Sequence, residues 1–138
     1  MSGGTEKGTM AVVAGAAMEC SGHHKGVIPR FMAEYLTPDA DEVVWTDTMS
    51  ERKTEMRAGT CLAIALPGGI GTLDELMETL TLAKLKIYPG KVVAYNVNGF
   101  YDPLREMLDH LVETGMLYRE DRALISFPSN VEELRELL

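Results

Sequence analysis

Residues 61–66, Cys-Leu-Ala-Ile-Ala-Leu, form an unbroken apolar run that ends at Pro67-Gly68-Gly69-Ile70-Gly71 and is followed by a stretch with apolar residues three and four apart. That order predicts a strand, a glycine turn and a helix. A strand apolar on both faces belongs to a sheet covered on both sides, and such sheets are parallel and built from strand–helix units. The glycines also leave the backbone N–H groups at the start of the helix without bulky side chains. Those donors, with the positive end of the helix dipole behind them, attract an anion.

The same alternation runs along the rest of the chain. Residues 9–20 read as a helix packed through small side chains, with Gly22 as its stop, and 25–28 as a short strand ended by Pro29. Residues 41–46 read as another strand, and 48–58 as a helix whose Thr48-x-x-Glu51 start spells a capping box. The longest helix is expected over 72–85, a strand over 91–97, and a helix over 101–114 stopped by Gly115. A last strand over 123–127 precedes a short helix capped by Asn130. Strands alternating with helices predict an α/β fold with a mainly parallel sheet of about five strands. No repeat, linker or low-complexity tract divides residues 1–138, so one domain is expected. One oddity stands at the start. A glycine turn before a helix normally follows a strand, and only Met1 and Ser2 precede Gly3-Gly4 and Gly8. Either the turn lacks that support, or a strand upstream of these residues supplies it.

Charge and composition exclude several functions. Hydrophobic residues make up 46% of the chain, enough to pack a core. The net charge of −8 disfavours a nucleic-acid partner, so any phosphate recognition must be local. No apolar run approaches the roughly 20 residues of a membrane span, and the glycine-rich opening does not resemble a secretory leader. Cys20 and Cys61 lie far apart without metal-ligand spacing and are expected to be reduced core thiols of a cytoplasmic protein. His23 and His24 have no third ligand suitably spaced, so no metal site is expected.

Two groups of residues carry candidate chemistry. Gly68, Gly69 and Gly71 are more glycines than a simple turn needs, although glycine also serves where φ is positive. Glu75 follows Thr72 by three residues. It either caps its own helix through a Thr-x-x-Glu box or lines a cleft, since it falls outside the expected core stripe of Leu73, Leu76, Met77 and Leu80. Arg52 and Lys53 fall in the first turns of the helix over 48–58, where cations oppose the dipole. They are either a solvated pair or partners for a phosphate or carboxylate. Leu82, on the side of the helix that carries Glu75, hints at a subunit contact.

Three segments together resemble the Lonely Guy family of cytokinin-activating phosphoribohydrolases, often labelled lysine decarboxylase-like. They are Met49-Ser-Glu-Arg-Lys-Thr-Glu-Met56, Pro67-Gly-Gly-Ile-Gly-Thr-Leu-Asp-Glu75 and Asn96-Val-Asn-Gly-Phe-Tyr-Asp-Pro-Leu104. Gly26-Val-Ile-Pro-Arg-Phe31 is similar too. Ser50 departs from the histidine that many members carry. The resemblance implies a Rossmann-like three-layer nucleotide-binding domain, with the family's first strands lying upstream of these residues. It implies hydrolysis of the N-glycosidic bond of a cytokinin or purine nucleoside 5′-monophosphate, giving the free base and ribose 5-phosphate. Arg52 and Glu75 take the catalytic roles. Gly3, Gly4, Met49, Lys53, Pro67, Gly68, Gly69, Ile70, Gly71, Thr72 and Asp74 bind substrate. No metal or cofactor is implied, and no lysine has a recognisable setting for a pyridoxal phosphate Schiff base. A homodimer is expected. The competing reading is a nucleotide- or molybdenum-cofactor carrier of the same fold that binds without cleaving.

Overall fold

The computed structural model describes residues 1–6, 8–37 and 40–137. They fall into two compact units, Met1–Gly59 and Thr60–Leu138.

In the first unit, strands β1 (Lys25–Pro29) and β2 (Glu42–Thr46) pair in parallel, from Lys25 opposite Glu42 to Pro29 opposite Thr46. Ser2 lies beside β1 as well. Its N–H donates to the Lys25 carbonyl at 2.9 Å and its carbonyl accepts from Val27 at 3.0 Å. The Gly3-Gly4 turn therefore leaves from a residue already hydrogen-bonded to a strand, and this supplies support that the bare sequence did not reveal. Helix α1 (Gly8–Glu19) follows. It closes with Ser21 at φ 57° and the Gly22 N–H donating to the Ala17 carbonyl at 2.7 Å. That is the six-to-one bond of a Schellman stop, one residue earlier than Gly22 itself. Helix α2 (Met49–Arg57) starts with the expected box, the Glu51 N–H donating to Thr48 Oγ1 and the Glu51 carboxylate accepting from the Thr48 N–H.

The second unit holds β3 (Leu62–Ala65), β4 (Lys91–Ala94) and β5 (Ile125–Ser126), parallel and in that spatial order. Helix α3 (Ile70–Lys84) connects β3 to β4. Helices α4 (Asp102–Glu113) and α5 (Arg119–Arg122) connect β4 to β5, and α6 (Val131–Arg135) follows with Asn130 as its cap. Leu76 and Leu80 of α3, Val92 and Ala94 of β4, Leu108 of α4, Ile125 of β5, Tyr88 and Tyr101 make the core.

The fold is α/β with parallel pairing throughout its named strands, as the alternation predicts. The five strands pair as two and three. In the first unit β1 is buried on both sides, and in the three-stranded ladder so is β4, its middle member. In β3, outermost in that ladder, Ile64 is 41% exposed. Both cysteines are exposed, not core thiols. Each follows a helix or precedes a strand at a point where the chain has reached the surface.

Candidate functional site

The glycine turn is built by the end of a ladder. The Tyr95 N–H donates to the Ala65 carbonyl at 2.9 Å, and beyond that point the chain turns away through Leu66 and Pro67. Helix α3 begins at Ile70, two residues before the expected start, with Gly69 as its N-cap in extended backbone and no side chain capping it. A helix capped by glycine has no cap side chain to accept from the N–H groups of its first turn. None of Gly68, Gly69 and Gly71 has positive φ. The left-handed conformation therefore does not explain them. A Cβ on Gly68 would stand 2.2 Å from Thr72 Oγ1, so Gly68 makes room for the threonine. A Cβ on Gly69 or Gly71 would meet nothing within 4 Å. Neither backbone nor packing requires glycine at those two places.

The early start of α3 also settles what Glu75 does not do. Thr72 occupies the third helical position and its N–H donates to the Gly69 carbonyl at 3.1 Å, so Thr72 is no N-cap and the Thr-x-x-Glu capping box is absent. Glu75 stands half-buried in the second turn, with Asp74 exposed beside it. The buried face of α3 is Leu76, Thr79 and Leu80, whereas Leu73 and Met77 are 38% and 37% exposed. The expected stripe was rotated because Thr79 reads as polar. Its hydroxyl donates to the Glu75 carbonyl at 2.6 Å, so it is satisfied within the helix and can be buried. Leu82 packs on the core, which removes the cue it gave for a subunit contact.

In the first unit, Arg52 is 5% exposed, not a solvated charge. Its Nε donates to the Val27 carbonyl at 3.0 Å and its Nη2 to the Gly3 carbonyl at 3.2 Å. A Cβ on Gly3 would fall 1.8 Å from that Nη2, so glycine is required for the guanidinium to lie there. Gly4 has φ +70°, and it passes so close to β1 that a Cβ on Gly26 would come within 3.1 Å of its Cα. Met49, 38% exposed, opens the same helix, and Lys53 is half-buried beside Arg52. The sequence-derived candidates thus form two sets. Gly3, Gly4, Met49, Arg52 and Lys53 gather in the first unit; Pro67 to Thr72, Asp74 and Glu75 gather in the second.

Sequence reasoning singled out the segment from Asn96 to Leu104 but gave its residues behind the turn no part in the site. Asn96, 2% exposed, accepts from the Tyr101 N–H through Oδ1 at 2.6 Å and donates from Nδ2 to Asp102 Oδ1 at 2.8 Å. The Tyr101 hydroxyl donates to the Leu66 carbonyl at 2.7 Å. The available signal was Asn98-Gly99, which turns the chain with φ 54° and 71°.

A parallel strand, a glycine turn, an uncapped helix start and an acid one turn further make a candidate anion seat in an α/β fold. Comparison makes this more specific. Residues 10–138 match the family described as "Possible lysine decarboxylase". The chain is 36% identical to a cytokinin riboside 5′-monophosphate phosphoribohydrolase of Arabidopsis thaliana, over 99% of this chain and 65% of that protein. It is 42% identical to the protein of that name from Mycobacterium tuberculosis, over 82% and 62% of the two chains, and 36% identical to that from Mycobacterium marinum, over 95% and 71%. The chain belongs to this family, the Lonely Guy phosphoribohydrolases. It spans less than two thirds of the length of the first two of these relatives.

Proposed function

We propose that this protein hydrolyses the N-glycosidic bond of a nucleoside 5′-monophosphate, releasing the base and ribose 5-phosphate. The observation that carries this reading is the start of α3, where Gly69 and Gly71 are glycine without a conformational or packing reason and no side chain caps the helix. A phosphate seated there takes up the N–H donors and meets the positive end of the dipole. Glu75, one turn along and not engaged in a capping box, then serves the sugar. Cleavage builds positive charge at the anomeric carbon, as in glycoside hydrolysis. A carboxylate stabilises that charge, holds ribose hydroxyls and orients the attacking water. Phosphate binding away from the anomeric carbon fixes the ring before the bond breaks. Arg52 is proposed as a second catalytic residue, and Lys53, Gly3, Gly4 and Met49 as substrate-binding residues. The relatives' names favour a cytokinin riboside monophosphate as substrate, with adenosine monophosphate (AMP) as the plain purine counterpart.

We further propose a cytoplasmic homodimer. The exposed stripe Ile70, Leu73 and Met77, spaced three and four residues apart on α3, supports a partner helix there. Two exposed free thiols fit a reducing compartment. Incubation of the protein with AMP and with isopentenyladenosine monophosphate, followed by chromatography, tests the activity. Free base and ribose 5-phosphate in equal amounts are expected. Recovery of both nucleotides intact from a protein that binds them overturns hydrolysis in favour of a carrier.

A further inference from the structure

Successive N–H groups of β4 alternate between its two neighbours, so the Tyr95 N–H donates to the Ala65 carbonyl at 2.9 Å on the β3 side and the Asn96 N–H to the Pro128 carbonyl at 2.8 Å on the β5 side. The Leu66 carbonyl, the last before the glycine turn, follows Ala65 and by the same alternation is not turned toward β4; it accepts from the Tyr101 hydroxyl at 2.7 Å instead. Its neighbour Pro67 has no N–H and confines Leu66 to extended backbone. The direction in which residues 67–72 leave β3 is then set by whatever holds that carbonyl. We propose that Tyr101 is a positioning residue for the phosphate turn, its hydroxyl holding the Leu66 carbonyl so that the N–H groups at the start of α3 are aimed at the ligand. The inference rests on the reading of that turn as the phosphate seat.

The tyrosine is itself fixed. It is 2% exposed, its ring packs edge-on against Phe100 at 5.0 Å between centroids, and its N–H is held by Asn96 Oδ1. Asn96 is oriented in turn by Asp102, which pairs with Arg105 at 2.9 Å. Gly99 belongs to the same device, since at φ +71° a Cβ would stand 2.6 Å from Asp102 Oδ2. Burial raises the Tyr101 pKa, so the phenol keeps its proton and remains a donor at any ordinary pH. The hydroxyl reaches a backbone atom next to the turn, so its effect on the turn passes through the chain.

Tyr101→Phe in the full chain removes only the hydroxyl. The Kd for AMP is expected to rise about threefold to tenfold, while the Kd for adenosine, which lacks the phosphate, is unchanged. A purely structural role lowers the melting temperature and leaves the AMP-to-adenosine affinity ratio as in the parent; that result overturns the proposal. If Tyr101→Phe does not fold, Asn96→Asp is measured in its place. It retains the acceptor for the Tyr101 N–H and loses the donor to Asp102, and a smaller rise confined to AMP is expected. An unchanged ratio in that variant also overturns the proposal. A parent that binds AMP without cleaving it refutes the hydrolase reading and leaves the Tyr101 comparison decisive. A parent with no affinity for AMP overturns both.

Discussion

Replacing Gly71 with alanine should move stability and binding in opposite directions. Gly71 lies inside α3 with helical backbone, and a Cβ there meets nothing within 4 Å. Alanine loses less conformational freedom than glycine on folding, so the variant should be more stable by about 0.5–1 kcal/mol. For a chain of this size that is a rise in melting temperature of roughly 2–4 °C. The same methyl group, however, enters the space proposed for the phosphate. Pushing the anion off one N–H costs about 1.5–3 kcal/mol for a charge-assisted bond, which weakens AMP binding by at least about tenfold. Circular dichroism gives the first quantity and isothermal titration calorimetry the second. Gly68→Ala is the contrast, since its Cβ collides with Thr72 Oγ1 at 2.2 Å and must destabilise. A Gly71→Ala protein that is more stable and binds AMP as the parent does would show that the turn is not the phosphate seat.

Gly3→Ala forces Arg52 off the Val27 and Gly3 carbonyls, and urea unfolding should show a loss of about 2–4 kcal/mol. An unchanged midpoint would refute the required close approach. His24 is 3% exposed with Nε2 against Ser2 Oγ at 2.8 Å, and burial lowers its pKa. Above the ordinary imidazole range both folded and unfolded forms are neutral. As the pH falls through that range the unfolded chain takes up the proton first, so stability declines toward the lower folded value. The melting temperature should drop more between about pH 7.5 and about pH 5.5 in the parent than in His24→Gln; equal drops would count against it.

The parts of this molecule that follow from local patterns were legible in the sequence. Apolar runs marked the five strands, and Thr48, Gly115 and Asn130 marked helix ends because capping depends on residues close together in the chain. The paired motifs around Arg52 and around Gly68 marked the residues that the proposed function uses. What depended on three-dimensional partners was not legible. The rotation of α3 turned on one threonine hydroxyl that bonds within its own helix. The burial of Arg52 turned on two carbonyls far away in the sequence. The hydrogen bond on the Leu66 carbonyl, beside the glycine turn, came from a tyrosine thirty-five positions past it. Glu75 spelled a capping box in sequence, and only the actual first residue of α3 decided against it.

Turnover of AMP by Glu75→Gln, set beside its affinity for AMP, addresses the chemistry most directly. The amide keeps the shape and removes the charge. Loss of at least about a hundredfold in turnover is expected, at a Kd for AMP within about threefold of the parent's and an unchanged melting temperature. A glutamine variant that releases adenine at the parent's rate would contradict the role given to this acid.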